Sequence, residues 1–286
     1  MSDSETAQKK YSDRRVEYED LITATQLQKL SATLDRDDPI PRDGDAIPAG
    51  WHPLFFPKLP PTRELGRDGM IKEIEDWQGE DPLPIRMFAG SRTRFLKPLL
   101  VGDKARRVSE LISTTRKEGR SGRLLFATYR HTISTAEGVA TVDEWDMVFR
   151  DEVKGSAKTA PPGEPAPEGG VWNRTINPTP VMLFRFSAVT FNPHRIHYDH
   201  PYTIGTEGYP NLLVHGPLTS LLLSDLARDN NPGATMTGFD MRAKAPLYAG
   251  QPFRITGRPR NGGKACDLWA VTPQNTIAMQ ATASFA

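Results

Sequence analysis

Four of the chain's six histidines crowd into one stretch, as His194, His197, His200 and His215. That stretch, Phe186 to Gly216, reads FSAVTFNPHRIHYDHPYTIGTEGYPNLLVHG and also holds Asn192, Arg195 and Asp199. An imidazole changes charge near neutral pH, so it can move protons or ligate a metal. A carboxamide can hold a water, and a guanidinium can clamp a carboxylate or a phosphate with two parallel bonds. Three readings of the cluster are open on residue type alone. His194, His197 and His200 are spaced three apart, which could line imidazoles along one helical face for a metal. That spacing drifts around a helix, and no Cys or Glu cluster accompanies it. The histidines could instead be packed or surface residues. In the third reading, one of them is a general acid or base with a polar partner nearby.

The residues just downstream suit the third reading. Val214-His215-Gly216 immediately precedes Pro217 to Arg228 (PLTSLLLSDLAR), whose Leu218, Leu221, Leu222 and Leu226 fall at helical spacing. Pro217 suits a first helical position, and the leucines read as core. The first N–H groups of a helix have no partner within it and sit at the positive end of its dipole. Pro217 has no N–H, so Gly216 and Leu218 are the donors available to a carbonyl that becomes enolate-like. Glycine also lets a ligand approach the backbone closely.

These residues need a frame. Gly155 to Gly170 (GSAKTAPPGEPAPEGG) is a Pro-rich linker that divides the chain. It sets an N-terminal domain over residues 16–154 apart from a C-terminal domain over 171–286, with residues 1–15 as a disordered tail. Arg123 to His131 and Val139 to Phe149 read as strands before the linker. Val181 to Phe186, Phe253 to Ile255, Leu268 to Val271 and Ala278 to Phe285 read as strands after it. A faint repeat links the halves. Phe95 to Asp103 (FLKPLLVGD) parallels Ala243 to Gln251 (AKAPLYAGQ), with Pro-Leu and Gly at matching offsets.

Composition removes several functions. Lys plus Arg number 36 and Asp plus Glu 35, for a formal charge of +1, so no overall field draws this chain to nucleic acid or an anionic membrane. No apolar run approaches the ~20 residues that span a bilayer, and Met1 to Arg15 lacks the apolar core of a signal peptide. The expected location is the cytoplasm, with a mitochondrial one left open. A single cysteine, Cys266, excludes an intrachain disulfide and reads as a structural residue at a strand start.

Phe186 to Asp199 resembles the hydratase motif of the MaoC-like family, whose pattern is approximately S-G-D-x-N-P-x-H-x-D. Laid on it without gaps, Asn192 falls on the catalytic Asp, His197 on the catalytic His and Asp199 on the final acid. His215-Gly216 matches a later element whose glycine contributes to an oxyanion hole. Asn192 replaces Asp, while His194 and Arg195 replace Asn-Pro. The variant seen here, Thr190 to Asp199, is similar to one branch of the family. That branch holds hydroxyacyl-thioester dehydratase type 2 and the mesaconyl-C4-CoA and itaconyl-CoA hydratases. Pro84 to Gly90, Phe95 to Asp103, Lys117 to Gly122 and Asp146 to Asp151 resemble its N-terminal signature.

The resemblance implies an α+β double hot-dog fold of two tandem units, each an antiparallel sheet wrapped around a long central helix. It implies a hydro-lyase for a short, possibly dicarboxylic enoyl-CoA, with one site in the C-terminal unit. There His197 takes a proton from water, Asn192 holds that water and the Gly216 N–H polarises the thioester carbonyl. An amide cannot share proton traffic as an Asp would, so either His197 serves both half-reactions or Asp199 or Glu207 assists. Arg195, His194, Tyr198, Asp199, Arg86 and Arg92 are the candidate substrate-binding residues, the arginines for a free carboxylate or a CoA phosphate. His215 is expected to fix the turn before the helix. No metal or cofactor is expected, CoA thioester being the substrate, and a homodimer is the expected assembly. The rival functions are a 3-hydroxyacyl-thioester dehydratase on CoA or acyl carrier protein, a hot-dog thioesterase and a non-catalytic acyl-CoA binder.

Overall fold

A computed structural model describes residues 15–71, 83, 85–119, 122–151 and 163–286. Residues 1–14 of the expected tail, the first half of the Pro-rich linker, Pro84, Arg120 and Ser121 lie outside the described residues. Among the described residues ten strands form a single antiparallel sheet. The first five are β1 (Arg15–Leu21), β2 (Ile85–Phe95), β3 (Lys104–Gly119), β4 (Gly122–Thr135) and β5 (Gly138–Arg150). The others are β6 (Trp172–Ile176), β7 (Met236–Ala243), β8 (Phe253–Arg260), β9 (Ala265–Val271) and β10 (Ile277–Phe285). Their order is β1-β3-β4-β5-β2-β7-β10-β9-β8-β6, so each half repeats the other outward from the central β2–β7 pair. Among the described residues four α-helices accompany the sheet: α1 (Ala24–Thr33), α2 (Pro180–Val189), α3 (His200–Gly205) and α4 (Gly216–Asp229).

The faint repeat is a real structural repeat. Leu96 and Lys97 donate their N–H groups to Ala140 O, as Lys244 and Ala245 do to Ala278 O. Ile47 N donates to Leu99 O as Val214 N does to Leu247 O, and Val101 N to Asp45 O as Ala249 N does to Leu212 O. Pro48 therefore stands where the other half has His215, and Ala49 where it has Gly216. From that point the halves diverge. The C-terminal half continues into α4, which packs on β7 to β10 with Leu218, Leu221, Leu222, Leu223 and Leu226 buried. The N-terminal half continues into Trp51 and one 3-10 turn, His52–Leu54, which fill the corresponding space with Phe55 and Phe56. A long central helix is thus described in the second unit, where the first has that turn at the matching position.

One expected strand is a helix. Val181 to Phe186 lies inside α2, because Thr179 caps it by accepting the Met182 N–H at 3.1 Å and Pro180 occupies the first turn. A short, largely apolar run does not by itself distinguish a strand from a buried helix. The other expected strands lie within β4, β5, β8, β9 and β10. Residues 163–170 pass the β9–β10 turn, where Ile277 N donates to Glu164 O and Ala166 N to Asn275 O. The halves meet at β2 and β7, where Gly90 faces Arg242. A Cβ on Gly90 would sit 2.6 Å from Met241 O, so the seam admits only glycine there.

Candidate active site

The histidine segment enters from α2 and leaves into α4, and both helices fix its ends. Phe191 adopts a left-handed conformation (φ 51°) after α2, which turns the chain sharply. Asn192 follows, donating its N–H to Ser187 O at 2.8 Å and accepting the His194 N–H on its own Oδ1 at 3.0 Å. That side chain closes its own turn, which leaves Nδ2 as the part able to donate outward. Arg195–His197 then form a 3-10 turn, and Leu213 N donates back to Ile196 O.

His197 is buried and donates Nδ1–H to Leu213 O at 2.9 Å. A carbonyl only accepts, so the neutral ring carries its proton on Nδ1 and keeps a lone pair on Nε2. Its proton affinity falls to about 3, first because burial removes water and second because His194 lies beside it. His194 meets it edge-on at 5.4 Å, and its own proton affinity is lowered by burial, with Asp68 opposing and Arg86 assisting. His215 stacks flat on His197, with centroids 3.7 Å apart and planes at 21°. It bonds to Ser187 Oγ through Nε2 at 2.9 Å, and burial holds it well below the ordinary range. Gly216 opens α4 directly after His215, so its N–H lies outside the helix's own ladder. A Cβ there would reach Phe88 of β2 at 3.5 Å, an ordinary contact, so the N-terminal half forms one wall.

The structure brings Asn192, His194, His197, His215 and Gly216 together, with Arg86 within electrostatic reach of His194. It commits the other expected binding residues elsewhere. Arg195 forms bonds of 2.9 and 2.7 Å to Asp199, donates to Arg67 O at 2.8 Å and lies 4.0 Å over the Tyr202 ring. Asp199 also caps α3 by accepting the Tyr202 N–H, and Tyr198 donates its hydroxyl to Pro193 O at 2.9 Å. Glu207 accepts from the Tyr202 hydroxyl at 2.6 Å. Arg92 is paired with Asp146 and Glu144 across the sheet. Arg195, Tyr198 and Asp199 thus build the loop that carries His197. Ser187 was missed by sequence reasoning, because a serine within an apolar helix gives no signal until its partner is known.

Among the described residues no three His, Cys, Asp or Glu side chains are placed to hold a metal ion. Cys266 is buried in β9, and burial pushes its thiol up to about 11, which is unsuited to a nucleophile. No described helix is long and apolar enough to cross a membrane.

Residues 50–249 match the family described as hydroxyacyl-thioester dehydratase type 2. The chain is 40% identical over 270 residues to "Mesaconyl-C(4)-CoA hydratase" of Chloroflexus aurantiacus, covering 94% of each. It is 40% identical over 82 residues to "Hydroxyacyl-thioester dehydratase type 2, mitochondrial" of Schizosaccharomyces pombe, 28% of this chain and 27% of that one. A solved MaoC-like dehydratase superposes with TM-score 0.69 at 16% identity, covering 95% of this chain and 97% of that one. Rv0216 of Mycobacterium tuberculosis, described as a double hotdog fold, gives TM-score 0.57 at 13% identity over 96% and 98% of the two chains. At such identities the structural likeness speaks for the fold, which is the double hot-dog.

Proposed function

The chain belongs to the hydroxyacyl-thioester dehydratase type 2 family of MaoC-like hot-dog proteins, and from that membership we propose an acyl-CoA hydratase/dehydratase working at His197. The observation that carries the proposal is a buried, neutral His197 with Nε2 open, stacked on the residue that precedes Gly216 and the α4 N-terminus. A base and an oxyanion donor thereby share one small volume. In the hydration direction, Nε2 takes a proton from water and the hydroxide oxygen bonds to the β-carbon of the enoyl thioester. The alkene electrons move toward the thioester oxygen, which the Gly216 N–H stabilises. The protonated His197 then returns its proton to the α-carbon, so one water is added and the ring is restored. Asn192 Nδ2 orients the water and takes no proton. Dehydration runs the same steps in reverse, and no resident cofactor is called for.

The proposed substrate is a short enoyl-CoA of the mesaconyl-C4-CoA class, on the strength of a relative that matches across nearly the whole chain. Arg86, which acts electrostatically on His194, is the cation proposed to meet a free carboxylate on the acyl group. A homodimer and a cytoplasmic location complete the proposal, the former checked by light scattering on the purified protein. The deciding assay mixes the protein with crotonyl-, mesaconyl-C4- and itaconyl-CoA and with their 3-hydroxy counterparts. Loss of conjugated-enoyl absorbance without free thiol, abolished in His197→Ala, is the expected result. Thiol release would make the protein a thioesterase, and inertness in both assays would leave a binder.

A further inference from the structure

Two polar side chains beside the proposed base take no part in the steps above. We propose that His215, anchored by Ser187, is the positioning residue of this site: it lies flat on His197, keeps water off that ring and holds it as the open-Nε2 base. The inference rests on His197 being the base.

At a centroid distance of 3.7 Å the two rings are in direct contact, with no room for a water layer between them. His215 is itself 0% exposed, and Phe186 closes on it edge-on at 4.9 Å. Ser187 fixes how His215 is turned, through the 2.9 Å bond from its Oγ to Nε2. The remaining nitrogen, Nδ1, is buried without a partner among the described residues. A protonated His215 would carry two N–H donors with one acceptor between them, so the ring stays neutral beside His197. Ser187 also accepts the Asn192 N–H on its carbonyl oxygen. One serine on α2 therefore sets the place of both the ring that backs His197 and the turn that presents Asn192.

The titratable groups around this stack are few. His194 faces His197 from the same loop, His215 faces it from the start of α4, and Asp68, Arg86 and Glu207 act at longer range through His194. Arg195 and Asp199 neutralise each other. Dryness is the first cause of the low proton affinity of His197, and His215 supplies one face of that dry enclosure.

The test compares kcat against pH from 5 to 8 for wild type, His215→Ala, His215→Phe, Ser187→Ala and His197→Ala. It adds nitrogen-15 NMR of the imidazoles in the wild-type protein. His215→Ala should admit water to the His197 face. Its kcat should fall ~10- to 100-fold with little change in KM, and an acidic limb should appear as His197 moves toward its ordinary 6.5. His215→Phe still covers the ring and should keep a flat profile, and Ser187→Ala should fall between the two. The NMR should show His197 neutral, with its one proton on Nδ1, throughout the pH range. Wild-type kcat and profile in His215→Ala, or the same profile in His215→Ala and His215→Phe, would overturn the inference. If the alanine variant does not fold, a wild-type His197 found protonated or carrying its proton on Nε2 would overturn it equally. Activity surviving in His197→Ala would sink the base itself, so the two failures are told apart.

Discussion

His197 owes its usefulness to burial that stops short of full hydrogen bonding. With its proton affinity lowered to about 3, His197 is neutral near physiological pH, so kcat should show no His197 limb between about pH 5 and 8. A pH–rate profile on a substrate that does not itself titrate checks this. The buried histidines carry a stability cost instead. His131 has its proton affinity lowered to about 4 by burial under the N-terminal sheet face, against 6.5 for an exposed ring. Because the folded value is depressed, the unfolded chain binds the extra proton. Stability is full above about pH 6.5 and falls by ~1.4 kcal/mol per pH unit for each such histidine as the pH drops toward 4. Urea midpoints at pH 7 and pH 5 should therefore draw closer together in His131→Asn than in wild type. At Asn192, substitution by Ala removes both the cap on the His194 N–H and the outward donor, and kcat should fall ~10- to 100-fold.

The elements around the site are held by a few buried polar bonds that span the halves. Asp225 of α4 is 0% exposed, accepts the Trp51 indole N–H at 2.9 Å and pairs with Arg36 and Arg228. Asp225→Ala would leave two cations and an indole N–H without that acceptor, and should lower the unfolding free energy by about 3–5 kcal/mol in urea titration. On the sheet side, Asp143 of β5 accepts from His52, Thr93 and Trp145, tying the 3-10 turn down where the other half has a helix. Gly50, at φ 94°, lets this turn approach so closely that a Cβ would meet Ser224 Oγ at 2.2 Å. These contacts explain why Trp51 and His52 are buried although nothing in their spacing marks a core element.

At the scale of the whole molecule, the ten-stranded sheet is a doubled unit in which one copy carries a histidine loop and α4 where the other, among the described residues, carries a 3-10 turn. Residues 171–286 expressed alone should fail to hydrate any enoyl-CoA, because they lack Phe88 against Gly216 and Trp51 against α4. Circular dichroism and the absorbance assay on that fragment check this. The sequence by itself determined the family and marked residues that the structure brings together at the proposed site. The Asn192-to-His197 spacing, His215-Gly216 before a leucine-rich helix and the Pro-Leu/Gly repeat are local patterns, and local patterns survive in a one-dimensional reading. The run Val181 to Phe186 misled because its capping residues, Thr179 and Pro180, lie outside the apolar stretch. Only tertiary structure could decide that Arg92 finds Asp146 through strand pairing and that Arg195 finds Arg67 O across a long loop. It alone could place Ser187 on His215 and His215 on His197, because a ring's plane and its dryness depend on every element packed around it.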